Sequence, residues 1–519
     1  MDDLNLTISA LLERAAQQRP DKEAIYDLKR RLTYRELQAE AEALACALVQ
    51  RGVRKGDRIG VCLPNWHETV TIYFAAARVG AIVVPFNTRY RAHEVAYIVQ
   101  NSGAKIVFVG IEFDENIGID LIDPLVDQVV SVRFDKENLE NYQSLRLQGH
   151  GQTPPVVEID PAEDVFSILY TSGTTGFPKG AMLTHQNLLY TGKRTAENLE
   201  CSADDVFLVV VPLFHVFGLV SCLMTAMICQ GKLVLQERYR AQQALDLIEQ
   251  EKITVHHAVP TMFILELNHP HFATYDLSSL RTGIIAAAPC PAETVKELRE
   301  RMGINICVSY GATETSAALT CTLLNDEEIN VLETVGKAVP GAEIKIVNDL
   351  REPVGIGEVG EIACRSLGVM RGYFEAPEQT SQALDADRWY YTGDLGTMDE
   401  NGYVRIVGRK KDLIIRGGYN IYPKEIEEIL YQHPKIMEAA VVGLPDSVMG
   451  EIICAAIRLK PGCEATAEAI EAYMKSLLAD YKIPNRIEFV EGFPVTASGK
   501  IQKVKLKDEL MDKLARELR

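Results

Sequence analysis

Hydrophobic positions along the chain follow two periods in turn. Arg58-Ile59-Gly60-Val61-Cys62-Leu63, Ala81-Ile82-Val83-Val84-Pro85 and Lys105-Ile106-Val107-Phe108-Val109 are near-continuous apolar runs of strand length. Residues 68–79 and 93–102 lie between them and read as helices. Ahead of these, Leu32-Thr33-Tyr34 reads as a short strand. Thr33 with Glu36 three residues on forms a capping-box pattern. The helix it opens sets Leu37, Ala41, Leu44, Ala45 and Leu48 on one face and stops at Gly52. The pattern resumes with strands at 165–170, 254–259, 281–288 and 305–310. Buried strands alternating with helices predict an α/β architecture of parallel sheets covered on both faces.

Beyond residue 335 the texture changes to short strands and turns, at 343–347, 360–364 and 402–407, which predicts a β-rich subdomain. The last hundred or so residues read as a small α+β unit. It has helices at 424–431 and 467–480, strands at 439–443 and 452–459, and a basic tail. Gly408-Arg409-Lys410-Lys411-Asp412 is the natural linker, so the division expected is 1–408 and 409–519. Gly355-Ile356-Gly357-Glu358-Val359-Gly360 fits the dinucleotide fingerprint by letter. It lacks the preceding strand and following helix, and reads as a turn between strands.

A chain of 519 residues exceeds what one core serves, in line with that division. Its net charge of −18 excludes nucleic acid and anionic membrane as main partners, so an anionic substrate must be held by local donors. The eleven cysteines are scattered without a C-x-x-C pair, and Met1-Asp2-Asp3-Leu4-Asn5-Leu6-Thr7 has no secretory character. Reduced thiols and a cytoplasmic setting are expected. Residues 206–229 contain no Asp, Glu, Lys or Arg and are long enough to span a bilayer. Pro212, His215 and Gly218 interrupt them, so a buried strand, a turn and a buried helix are expected instead.

Candidate chemistry centres on Tyr170-Thr171-Ser172-Gly173-Thr174-Thr175-Gly176-Phe177-Pro178-Lys179-Gly180, after the strand at 165–170. Glycines that allow close backbone approach, hydroxyls and Lys179 make a cradle for phosphate, and a helix is expected to start near Asn187. It is not the Walker pattern, because Gly180 follows Lys179. The plain alternative is a hydroxyl-rich surface loop. Five further stretches carry a functional and a plain reading each. His215, within Pro212-Leu213-Phe214-His215-Val216-Phe217-Gly218, reads alone as a core histidine. Glu314, in Tyr310-Gly311-Ala312-Thr313-Glu314-Thr315 at a strand's carboxyl end, is a cap or a Mg²⁺ ligand. Asp394, in Tyr391-Thr392-Gly393-Asp394-Leu395 after an expected tight turn, is a turn-former or accepts two ribose hydroxyls. Arg409 is alone a linker charge, and Lys500, in Pro494-Val495-Thr496-Ala497-Ser498-Gly499-Lys500-Ile501, is alone a loop lysine.

In this order and spacing the motifs resemble the adenylate-forming superfamily: acyl-CoA synthetases, firefly luciferase and the adenylation domains of peptide synthetases. The resemblance runs from Leu32-Thr33-Tyr34 to Lys500. Pro212 to Gly218 and Gly417-Gly418-Tyr419-Asn420-Ile421-Tyr422-Pro423 look most like bacterial fatty-acyl-CoA ligases. The resemblance implies ATP, Mg²⁺ and coenzyme A as cofactors and small-molecule carboxylic acids as partners; a homodimer is compatible with it. Thr171, Ser172, Gly173, Thr174, Thr175, Gly176 and Lys179 would hold the β- and γ-phosphates, with Thr171 and Glu314 near Mg²⁺. Tyr310, Gly311, Ala312 and Thr313 would bind the nucleotide, with Tyr310 stacked on adenine beside Ala287, Ala288 and Pro289 and Thr313 on the α-phosphate. Asp394 and Arg409 would take the ribose. Lys500 would bridge the substrate carboxylate and the α-phosphate, and His215 would join Lys500, Thr171 and Glu314 among the catalytic candidates. The small domain would be mobile about Lys411, with Gly418 flanking the pantetheine tunnel.

The absence of charge from 206–229 bears on the acid. An ammonium-bearing substrate would need a carboxylate there and a dicarboxylate a buried cation. The expected lining, His215, Val216, Phe217, Ile284, Ile285, Ala286 and Ala312, suits an apolar monocarboxylate. A medium- or long-chain fatty acid comes first, an aromatic or alicyclic acid of the 4-coumarate or benzoate type second. A luciferase-like oxygenase and a non-catalytic ATP-binding module are the rivals from other classes.

Overall fold

The computed structural model describes residues 3–171, 178–288, 290–446, 448–496 and 501–517. Two large sheets dominate the first 375 residues. One runs in the order Gly372–Tyr373, Lys179–Thr184, Val165–Thr171, Ile82–Pro85, Arg58–Cys62, Ala104–Val109, Gln128–Ser131, Glu140–Asn141. The other is built around Asn305–Tyr310, Thr282–Ile285, Val255–His257, Val206–Val209, Lys232–Leu235 and Glu23–Tyr26, which pair in parallel. The helices that cross between parallel strands cover their faces, as the apolar runs require.

Helix His67–Val79 is apolar through its middle and buried at every position except Arg78. Its polar start is accommodated by a closed charge cluster. His67 Nδ1 lies 2.7 Å from Asp27, and the Arg133 guanidinium bonds both Asp27 and, at 2.7 Å, Glu68. Burial alone would push the Asp27 carboxyl up, but the His67 hydrogen bond and the charges of His67 and Arg133 hold it well below the usual range. Asp27, His67 and Glu68 have the ligand types of a metal site, but Arg133 already supplies the cation they need.

The β-rich subdomain is an antiparallel sheet of Glu343–Val347, Gly360–Arg365, Tyr390–Met398 and Val404–Arg409. The Gly355–Gly360 motif is the turn ahead of its second strand, as expected. After a short 3₁₀ turn at Lys410–Asp412 the chain builds a separate sheet from Ile414–Arg416, Tyr419–Ile421, Ile436–Asp446, Gly450–Leu459 and Arg486–Phe489. Its core is distinct from that of the preceding sheets.

Four expectations are corrected. The segment after the phosphate loop enters a strand, Lys179–Thr184, antiparallel to Val165–Thr171, before the helix. Ala181 and Leu183 point into the core, so the run suits a strand as well as a helix lead-in. The helix then spans His185–Asn198, capped by reciprocal bonds between Thr184 and Asn187. Asp394 does not follow a tight turn. It lies inside the strand Tyr390–Met398, next to Gly393, whose φ of +72° and the register shifts beside it mark a bulge. The helix from Ala467 ends at Lys475, and the basic tail is itself a helix, Lys503–Glu517.

The uncharged segment 206–229 forms a buried strand, a turn and a buried helix, as expected. Among the described residues no helix is long and apolar enough to cross a membrane. All eleven cysteines carry free thiols.

Candidate active site

The described ends of the phosphate-loop motif lie on two antiparallel strands, Val165–Thr171 and Lys179–Thr184. Thr171 and Lys179 are register partners, and the Thr171 hydroxyl donates to the Lys179 carbonyl at 3.4 Å. Ser172, Gly173, Thr174, Thr175 and Gly176 lie outside the described residues. Val165–Thr171 pairs in parallel with Ile82–Pro85, so Thr171 stands at the carboxyl end of a strand, where sheets of this kind collect ligands.

Asn305–Tyr310 ends at the second cluster. Gly311 follows because the chain folds back on itself there; a Cβ would sit 1.5 Å from the Ala317 carbonyl oxygen. Ser316 and Ala317 take positive φ (53° and 84°), and Ala287, on the neighbouring strand's exit, takes 68°. These three non-glycine residues, at the exits of two neighbouring strands, hold the left-handed region at a cost in backbone energy. Ala287 and Ala288 are half-buried there; Pro289 lies outside the described residues.

Tyr310, Asp394 and Arg409 are brought into one line. The Tyr310 hydroxyl donates to Asp394 Oδ2 at 2.8 Å, and Arg409 Nε lies 3.1 Å from Asp394 Oδ1. Asp394 and Arg409 are also register partners across the bulge. Burial, then the adjacent Asp394 charge, pushes the Tyr310 phenol far above its ordinary value, so it stays a neutral donor.

Glu314 sits in the 3₁₀ turn Thr313–Thr315, where the Thr315 hydroxyl accepts from the Ala312 amide at 2.9 Å. Its carboxylate is buried, and burial is what raises its pKa. The carboxylate accepts from the Tyr373 hydroxyl at 2.8 Å. Magnesium bridging nucleotide phosphates asks a protein for one or two oxygens. The Glu314 carboxylate and the Thr171 hydroxyl are that donor chemistry, and they fit.

His215 follows the strand Val206–Val209. It is half-buried, not a closed core histidine, and its Nδ1 accepts from the Phe217 amide at 3.3 Å. Gly218 starts the buried helix against the Pro212 carbonyl, which a Cβ would approach to 2.2 Å. Sequence reasoning missed what holds this turn. Buried Asn65 donates to the Val211 and Gln236 carbonyls (3.1 and 3.2 Å) and accepts from the Leu213 amide at 2.8 Å, pinning the two large sheets together beside His215. A lone amide between Pro64 and Trp66 was its only signal. Tyr373 was missed too, because it belongs to no motif singled out. Gly418 is not brought to the other candidates. It occupies the exposed tip of the hairpin Ile414–Arg416 to Tyr419–Ile421, at φ +86°. Lys500 lies outside the described residues.

Thr171 and Lys179 on paired strands, the Glu314 carboxylate and the Tyr310–Asp394–Arg409 line offer the donor and acceptor types that a nucleoside triphosphate needs. The model of the AMP-binding enzymes matches residues 12–374, and that of their C-terminal domain matches residues 425–500. The chain belongs to this adenylate-forming family of enzymes. It is 38% identical to the putative acyl-CoA synthetase YngI of Bacillus subtilis (strain 168), over 98% of both chains. It is 35% identical to the mitochondrial medium-chain acyl-CoA ligase ACSF2 of Homo sapiens, covering 97% of this chain and 87% of that one. The crystal structure of the anthranilate CoA ligase AuaEII in complex with anthranoyl-AMP superposes with a TM-score of 0.90 at 30% identity, covering 98% and 97% of the two chains. The protein is therefore an enzyme of the acyl-CoA synthetase branch, whose members use ATP and coenzyme A.

Proposed function

We infer that this enzyme activates an apolar monocarboxylic acid, a medium- or long-chain fatty acid first, and transfers the acyl group to coenzyme A. The observation that carries the substrate class is the segment 206–229. It is buried around His215 without one charged side chain, so neither an ammonium nor a second carboxylate finds a counter-charge there. The name of the ACSF2 relative agrees with the fatty reading. That of AuaEII keeps an aromatic acid as the second reading.

In the first step a carboxylate oxygen of the acid attacks the α-phosphorus of ATP. The new C–O–P link forms as the bond to pyrophosphate breaks. In the second step the coenzyme A thiol gives up its proton, sulfur bonds to the acyl carbon, and AMP leaves. The first step brings anion to anion, so positioning and charge neutralisation dominate it. Lys179 meets the β- and γ-phosphates at the hairpin with Thr171 and the loop residues. Tyr310 stacks on adenine beside Ala287 and Ala288, Thr313 contacts the α-phosphate, and Asp394 with Arg409 takes the ribose hydroxyls. Thr171 and Glu314 would hold magnesium, which neutralises phosphate charge when bound. Lys500 bridges the carboxylate and the α-phosphate. Residues 409–519 turn about Lys411 as a mobile unit and bring Gly418 to the pantetheine path.

The test is acid-dependent ATP–pyrophosphate exchange with fatty, aromatic, dicarboxylic and amino acids, on the wild type and Lys500→Ala. Exchange with fatty acids that vanishes in the variant is the expected result. Exchange with aromatic acids alone moves the enzyme to the second reading, and exchange with no acid overturns both.

A further inference from the structure

Lys179 and Glu314, the ammonium and the carboxyl assigned above to the polyphosphate and its magnesium, form no ion pair with each other among the described contacts. One side chain meets both. The Tyr373 hydroxyl donates to Glu314 Oε1 at 2.8 Å, and the Lys179 ammonium lies 5.1 Å from the centroid of the Tyr373 ring, within cation–π range. We propose that Tyr373 is a positioning residue of the first half-reaction, a spacer that keeps Lys179 and Glu314 apart and presents them as two separate groups to the incoming polyphosphate.

The backbone around Tyr373 is anchored to both halves it serves. Met370 N–H donates to the Glu314 carbonyl at 2.7 Å, and Phe374 N–H donates to the Gly180 carbonyl at 2.7 Å. Tyr373 itself is the register partner of Ala181 in the hairpin, and its own N–H goes to the Thr380 hydroxyl at 2.9 Å. The segment between these bonds therefore has one place to lie, and its tyrosine has one gap to fill. The chemistry of the side chain suits the gap. A buried carboxylate needs a donor and an ammonium needs electron density; phenol supplies the first at its hydroxyl and the second at its face. Without it the two charges would collapse into a buried pair that binding must break before phosphate can take Lys179. This inference rests on the acyl-activating reading for its kinetic arm only, since nucleotide binding reads it directly.

The experiment compares the full-length wild type with Tyr373→Phe and Tyr373→Leu. Calorimetry follows binding of a non-cleavable ATP analogue with magnesium present. Exchange kinetics give KM for ATP and kcat, and thioester formation from synthetic acyl-adenylate and coenzyme A reads the second half-reaction alone. Tyr373→Phe keeps the ring and loses the hydroxyl. It is expected to weaken analogue binding and raise KM for ATP about tenfold, with kcat within about threefold and thioester formation unchanged. Tyr373→Leu loses the spacer and is expected to lower both affinity and kcat further, with thioester formation again unchanged. Wild-type affinity in Tyr373→Leu overturns the proposal. So does an equal fall of all three readouts with the melting temperature, which would make the tyrosine merely structural. If the wild type binds the analogue but exchanges with no acid, the acyl-activating reading fails while the binding arm still decides the role of Tyr373.

Discussion

The hydroxyl of Tyr310 and the carboxylate of Asp394, 84 residues apart in the chain, meet at 2.8 Å. One ends a strand of a large sheet and the other sits at a bulge of the four-stranded sheet, so the contact ties the two sheets together at the proposed nucleotide site. Asp394→Ala removes the acceptor and leaves Tyr310 and Arg409 without their partner. Charge-assisted hydrogen bonds are worth about 1.5–3 kcal/mol, so KM for ATP in the exchange reaction should rise about 10- to 150-fold. An unchanged KM would remove Asp394 from the nucleotide site.

Asn65→Ala should destabilise the fold by about 2–4 kcal/mol, because the Leu213 amide and the Val211 and Gln236 carbonyls all lose a buried partner. The melting temperature should fall by several degrees, measured by calorimetry. A surface substitution such as Lys29→Ala should leave it unmoved.

Two buried histidines set an acid limit. His185 accepts the Ile8 amide at Nδ1 (3.2 Å), and His257 accepts the Ile284 amide at 2.9 Å. Burial lowers their pKa from 6.5 to about 4 and about 3. The unfolded chain takes up these protons near pH 6.5 and the folded chain does not. Stability is therefore full above that value and is lost as the pH falls toward the folded pKa. Each should cost about 2 kcal/mol between pH 7.5 and 5. Urea unfolding at both pH values checks this. His185→Gln should show a fall shallower by about that amount.

Gly311→Ala places a methyl 1.5 Å from the Ala317 carbonyl oxygen, a clash with backbone that no rotamer relieves. Exchange activity should drop at least tenfold and the protein should melt earlier; wild-type behaviour in both would contradict the geometry.

Much of this was legible in the chain. Most parallel strands of the two large sheets were visible as apolar runs, though Glu23–Tyr26, Gln128–Ser131 and Lys232–Leu235 were not read, and the Thr33–Glu36 capping box forms as written. Asp394 was marked by its place within residues 391–395 and Arg409 only by the family resemblance, and the two become direct partners. The strand Lys179–Thr184 was not legible, because a short apolar run carries no period that separates a strand from a helix lead-in. Nor was the bulge at Gly393, whose purpose lies in a neighbour far along the chain.

The sequence by itself determined the α/β plan of helix-covered parallel sheets, the family and the apolar character of the segment 206–229, since burial patterns and motifs are written along the chain. Only the tertiary structure decided that Tyr310 reaches Asp394, that Asn65 clamps the turn before His215, and that Tyr373 stands between Lys179 and Glu314. Those contacts join residues 59 to 194 positions apart, and such pairings are set by how sheets pack, which no local pattern encodes.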